Sequence, residues 1–117
     1  MSVRTNRVAT LIKECIGEAL TRDIDTSGYG ILTVTEVFVT ADLRLAKVYV
    51  SHFRSNKTND EVMKFFDQNL KQLRMMVGRH VQLKFTPELK FYIDETMEKV
   101  AHLEELFKQI HKEESSR

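Results

Sequence analysis

The side chains here with the clearest capacity for chemistry are cations. Between Gln68 and Ile93 stand Lys71, Arg74, Arg79, Lys84 and Lys90, with Glu88 as the only carboxylate. A guanidinium offers two parallel donors to a phosphate and an ammonium acts as a compact point charge, so a run of this kind suits a polyanion. Arg4 and Arg7 lie near the start of the chain, and Arg44 and Lys47 lie beside a predicted turn. These nine residues are the expected phosphate contacts. Arg74 and Arg79 lead the set, because they flank a predicted helix-to-strand junction. The competing reading of each is an ordinary surface charge or half of an ion pair.

Other chemistry is hard to find. No Gly-rich phosphate loop, dinucleotide fingerprint, Cys-x-x-Cys pair or Ser/His/Asp arrangement occurs. His52, His80, His102 and His111 are scattered, and no two share a helix face at metal-ligand spacing, so no metal is expected. Glu104 with Glu105, and Glu113 with Glu114, read as solvated positions rather than an acid/base pair. The single Cys15 cannot form an internal disulfide and falls on an apolar helical stripe, which suits a small buried hydrophobe. No cofactor is implied, and an enzyme reading has nothing positive behind it.

The formal net charge is only +1, but its distribution is uneven. Residues 94–117 hold seven acidic and four basic side chains, which leaves residues 1–93 at +4. An acidic end masks a basic body. At 117 residues the chain is long enough for one domain with a two-layer core. No run of about 18 apolar residues is present, which argues against a membrane-spanning helix. The N-terminus leads into an amphipathic helix rather than a signal peptide, which points to the cytoplasm.

The elements that must position the cations follow from periodicity. Val8, Leu11, Ile12, Cys15, Ile16, Ala19 and Leu20 mark one face of a helix from Val3 to about Arg22. Gly17 within it suggests a close helix-to-sheet approach. Asp25 to Gly30 reads as a loop. Ile31 to Thr40 and Leu45 to Phe53 are strand-like, and the short Ala41 to Arg44 link predicts an antiparallel hairpin whose turn Asp42 closes. Ala46, Val48 and Val50 share one face of the second strand, with Lys47, Tyr49 and Ser51 on the other.

Thr58 or Asn59 is placed to cap a second helix, with Asp60 and Glu61 in its first turn. That helix is expected to continue to a C-cap at Gly78, interrupted at Asn69. Val81 to Thr86 then alternates as a third strand up to Pro87, which marks a sheet edge, bulge or bend. Leu89, Phe91 and Ile93 alternate beyond it. Asp94 or Thr96 caps a final amphipathic, acidic helix. The order is α-β-β-α-β-α: an α+β fold with helices on one face of a three-stranded sheet and the other face open.

An α-β-β-α-β order with a basic helix junction suggests a KH-like RNA-binding domain, yet the Gly-x-x-Gly clamp loop is missing. Contact with folded RNA through phosphates fits better. Four stretches stand in a specific order: Arg4-Thr5-Asn6-Arg7-Val8, then Asp42-Leu43-Arg44-Leu45-Ala46-Lys47-Val48-Tyr49-Val50, then Leu73-Arg74 followed by Gly78, then Pro87-Glu88-Leu89-Lys90-Phe91 with Asp94. With these the chain resembles the ribosome-binding factor A family.

The resemblance implies a single type II KH-like domain over residues 1–117, with a core over 3–94, an amphipathic helix over 95–112 and a frayed tail over 113–117. It also implies a bacterial, non-enzymatic monomer that binds the free small (30S) ribosomal subunit and its 16S rRNA during late maturation and rRNA processing. Importance in cold adaptation comes with it, and no membrane or small-molecule partner. Family members replace the clamp loop with an Ala-x-Gly kink between helices. Counting back from Gly78 puts that kink at Asn69-Leu70-Lys71, where Asn69 can bend the helix because its side chain competes for backbone hydrogen bonds. The acidic final helix stands where members commonly carry a more variable, often basic tail. An alternative function is a protein-interaction module that docks through that acidic helix or the open sheet edge.

Overall fold

The structure, a computed structural model, describes residues 3–96 together with Leu106. Helix α1 spans Val3–Glu18, and a π-helical turn at Ala19–Asp23 ends it, with the Ile24 amide donating to the Ala19 carbonyl at 2.9 Å. Strands β1 (Ile31–Val39) and β2 (Leu45–Phe53) follow, then α2 (Asn59–Gln68), α3 (Leu70–His80) and β3 (Glu88–Ile93). The sheet order is β1-β2-β3. The first pair is antiparallel and the second parallel.

The expected hairpin forms because two alternating β-branched runs are joined by a short turn. Strand β2 is central, and its inward residues Ala46, Val48 and Val50 are fully buried. They pack with Val34, Val37 and Val39 of β1, Leu89 and Phe91 of β3, and Ile12 and Ile16 of α1. Thr35 bulges out of the β1–β2 register, which re-aims Glu36 and Phe38 onto the outward face. A parallel β2–β3 pair needs a long crossover, and α2 and α3 supply it. Their buried Val62, Phe65, Phe66, Leu73 and Val77 close the core from the same side as α1. At the start of β1, Gly30 takes a φ of +66°, and any Cβ there would collide with the Phe53 carbonyl oxygen.

Thr58 caps α2, accepting from the Glu61 amide at 3.2 Å. At Asn69 the helix breaks. The backbone there has ψ near +6°, and Asn69 Nδ2 donates to the Phe65 carbonyl at 2.8 Å. A mid-helix amide thus captures a carbonyl of the preceding turn and unwinds one residue. The kink at 69–71 is therefore present without either family residue.

Three expectations need correction. Val81 to Thr86 is not a strand; it is an irregular loop, and the third strand is Glu88–Ile93. Pro87 has no amide to donate, so the parallel ladder starts only at Glu88, whose amide reaches the Arg44 carbonyl at 2.8 Å. Gly78 is not a C-cap, since α3 runs on to His80. Around Gly17 a Cβ would meet nothing within 4 Å, so the close approach is elsewhere, at Gly78. The helix expected over 95–112 and the tail over 113–117 lie outside the described residues, save for Glu95, Thr96 and Leu106. No helix among the described residues is long and apolar enough to cross a membrane.

Candidate nucleic-acid interface

Three segments meet at one end of the sheet. The first is the hairpin turn, where Asp42 Oδ1 accepts from the Arg44 amide at 3.1 Å and from Thr40 Oγ1 at 2.6 Å. Leu43 adopts a φ of +60°, and Arg44 is left exposed at the mouth of β2. The Thr40 hydroxyl, and then the Arg44 amide, hold the Asp42 carboxyl below the usual carboxylate range. The second segment is the loop over 81–87, which the Leu45–Glu88 pairing draws beside that turn.

The third is α3, against which the loop lies. A Cβ on Gly78 would stand 2.8 Å from Thr86 Oγ1, so only glycine lets the loop come this close without a shift. One turn earlier, Arg74 donates through Nε to the Pro87 carbonyl and through Nη2 to the Thr86 carbonyl, both at 3.4 Å. These bonds are long and their acceptors neutral, so the guanidinium is positioned while its charge stays available to an anion.

The loop is buried at its ends and exposed in its middle. Val81 and Pro87 are buried, whereas Phe85 is 62% exposed. Arg44 Cζ lies 6.0 Å from the Phe85 ring centre and Lys84 Nζ 5.6 Å from it. Adjoining clefts join these groups. One of about 260 Å³ is bordered by Arg4, Asp42, Arg44, Lys84 and Phe85. A second, about 280 Å³, is bordered by Arg44, Arg74, Phe85, Thr86 and Glu88. A third, about 550 Å³, is bordered by Asp67, Lys71, Arg74 and Thr86. Shared members make these one strip with five cations and three carboxylates.

Of the nine expected contacts, the structure brings together Arg4, Arg44, Lys71, Arg74 and Lys84. Arg7 is exposed on α1 one turn beyond Arg4. Arg79 is exposed but stands five residues past Arg74, about 140° round the helix, and so does not join it. Lys47 and Lys90 face each other on the outward side of β2 and β3, away from the loop. Among the described residues none of the nine forms an ion pair; the pair present is Lys57 Nζ with Glu61 Oε2 at 3.7 Å.

Sequence reasoning missed Phe85, which was assigned to a strand. The signal available was an aromatic beside a lysine and just before Thr-Pro, where a ladder cannot continue. It also missed the row of rings on the outward sheet face. Tyr49 stacks on Tyr92 at 5.3 Å, and Phe38 meets Tyr49 edge-on at 5.8 Å. Among the described residues no three His, Cys, Asp or Glu side chains cluster as metal ligands. Cys15 is buried, and desolvation followed by the charges of Glu18 and Asp23 pushes its thiol up, which makes it a poor nucleophile.

A family model described as ribosome-binding factor A matches residues 4–107. The chain belongs to the ribosome-binding factor A family. A relative named Ribosome-binding factor A, from Chlorobium phaeobacteroides, is 40% identical over 116 residues, covering 97% of this chain and 99% of its own. The crystal structure of ribosome-binding factor A from Thermus thermophilus superposes with a TM-score of 0.66 at 20% identity, covering 76% of this chain and 94% of that one. A homology model of the Thermus thermophilus factor, fitted into a cryo-EM map of its complex with 30S, gives a TM-score of 0.63 at 20% identity, covering 74% and 90%. The fold is the α+β, type II KH-like arrangement that the resemblance implied.

Proposed function

We propose that this protein binds the free small ribosomal subunit in the cytoplasm, contacting 16S rRNA phosphates during late maturation and rRNA processing, and that it does so without catalysing a reaction. Family membership supports the ribosomal partner, as does the fitting of a structural neighbour into a 30S complex. The observation that carries the site is the strip formed by Arg4, Arg44, Lys71, Arg74 and Lys84 around an exposed ring, with no ion pair among the described residues neutralising it. Each phosphate gripped releases condensed counterions, so a strip of this kind gives affinity that falls steeply with salt. The cationic excess of the strip and the family's ribosomal partner are why binding rather than turnover is the reading.

Sedimentation of cell extract tests the partner. The protein should migrate with free small subunits and stay off translating ribosomes. Loss of co-sedimentation at low salt, or retention of protein partners alone after ribonuclease treatment, would favour a protein-docking module instead.

A further inference from the structure

We infer that Phe85 is a stacking platform for one unpaired RNA base, so that the strip recognises rRNA at a bulged or single-stranded nucleotide rather than along an unbroken duplex. This rests on the rRNA-binding reading above. Three observations point to it. Phe85 is 62% exposed although its loop buries Val81 and Pro87 on either side. The loop is short and tethered at both ends, which holds the ring outside the core. Arg74 and Gly78 fix that loop against α3.

The ring's surroundings then select the ligand. Phe85 borders two open clefts of about 260 and 280 Å³, each also bounded by Arg44, a size that suits a compact planar group. Arg44 and Lys84 lie over the Phe85 ring, and Arg74 borders a cleft beside it, so a base that moves onto the ring displaces the two cations toward its own phosphates, whereas an apolar peptide anchor would gain nothing from them. Glu88 is the one carboxylate bordering the 280 Å³ cleft. It repels phosphate from that rim and can accept from a base amino group. Bases inside a duplex have no free face to offer, so the nucleotide must be unpaired.

The test compares the full chain's binding to an RNA hairpin carrying one bulged 2-aminopurine and to the same hairpin fully paired. Wild type should prefer the bulged RNA by about tenfold and quench the probe on binding. Phe85→Leu should abolish both the preference and the quenching while leaving the salt slope unchanged, and Phe85→Tyr should retain them. Because Phe85 is exposed, both variants should fold as wild type does. A preference that survives Phe85→Leu overturns the inference. So does a wild-type chain that binds purified small subunits without preferring the bulge, and in that case the proposed function stands. A chain that binds neither subunits nor RNA overturns both.

Discussion

Of the places where aromatic rings stand beside lysines or arginines, the outward sheet face and the loop over 81–87 differ most in charge balance. On the outward sheet face, Phe38, Tyr49 and Tyr92 pack on one another, and Lys47 and Lys90 share the face with Glu36, with Asp94 at its end. The charges there cancel, and the rings satisfy each other. At the loop over 81–87, Phe85 has no ring partner among the described residues, and the two clefts it borders carry Arg4, Arg44, Arg74 and Lys84 against Asp42 and Glu88. Rings that stack on their neighbours are tied up in the sheet, whereas a lone ring beside an excess of cations fits the proposed RNA contact.

The largest contrast should come from paired substitutions. Arg44→Ala with Arg74→Ala should weaken binding to purified small subunits by on the order of 100-fold, since each removes a charge-assisted contact. Lys47→Ala with Lys90→Ala should change it less than about threefold, as expected of exposed charges away from the site. Equal losses in the two variants would erase the distinction between the regions.

Gly78→Ala comes next. The new Cβ must displace Thr86, so the loop should shift, binding should fall several-fold, and stability should drop by about 1 kcal/mol once helix propensity has offset part of the overlap. Gly78→Ala combined with Thr86→Ala should recover most of the binding. Gly17→Ala, with nothing nearby to meet, should instead stabilise by up to about 1 kcal/mol in thermal melts and leave binding untouched. Asn69→Ala removes the bond that unwinds the helix, so it should re-orient Lys71 and weaken binding a few-fold in the same assay.

The smallest effect belongs to the sheet face. Thr35 Oγ1 donates to Asp94 Oδ2 at 2.6 Å, and this bond, with further donation from Thr96, holds the Asp94 carboxyl below the usual range. A carboxyl depressed in the folded state stabilises that state above the ordinary carboxylate value, and the contribution is lost as pH falls through the lowered value. Thr35→Val should therefore move the acid-unfolding midpoint, followed by circular dichroism, slightly upward and cost under about 1 kcal/mol at neutral pH, with binding unchanged.

Local rules made much of this fold legible. The β1–β2 hairpin, the Asp42 turn, the Thr58 cap and the inward face of β2 each depend on neighbours within a few residues, and the structure places all of them as expected. The third strand was misplaced because two alternating runs flank Pro87 and either could be a strand. Pairing with β2 decides between them, and that is a tertiary fact. The candidate strip was legible in composition but not in grouping. Closeness in sequence grouped Arg79 and Lys90 with Arg74, whereas docking of the loop on the hairpin turn brings the also expected Arg4 and Arg44 to Arg74 and leaves Arg79 and Lys90 out. Helical rotation alone separates Arg79 from Arg74.

The salt dependence of binding to purified 30S subunits, measured for wild type and for the Arg44→Ala, Arg74→Ala variant, is the most direct test of a phosphate-gripping strip at this loop. The slope of log affinity against log salt should become shallower by about 1.4–1.8 in the variant, the loss of two phosphate contacts. A slope identical to wild type would show that these arginines touch no RNA phosphate.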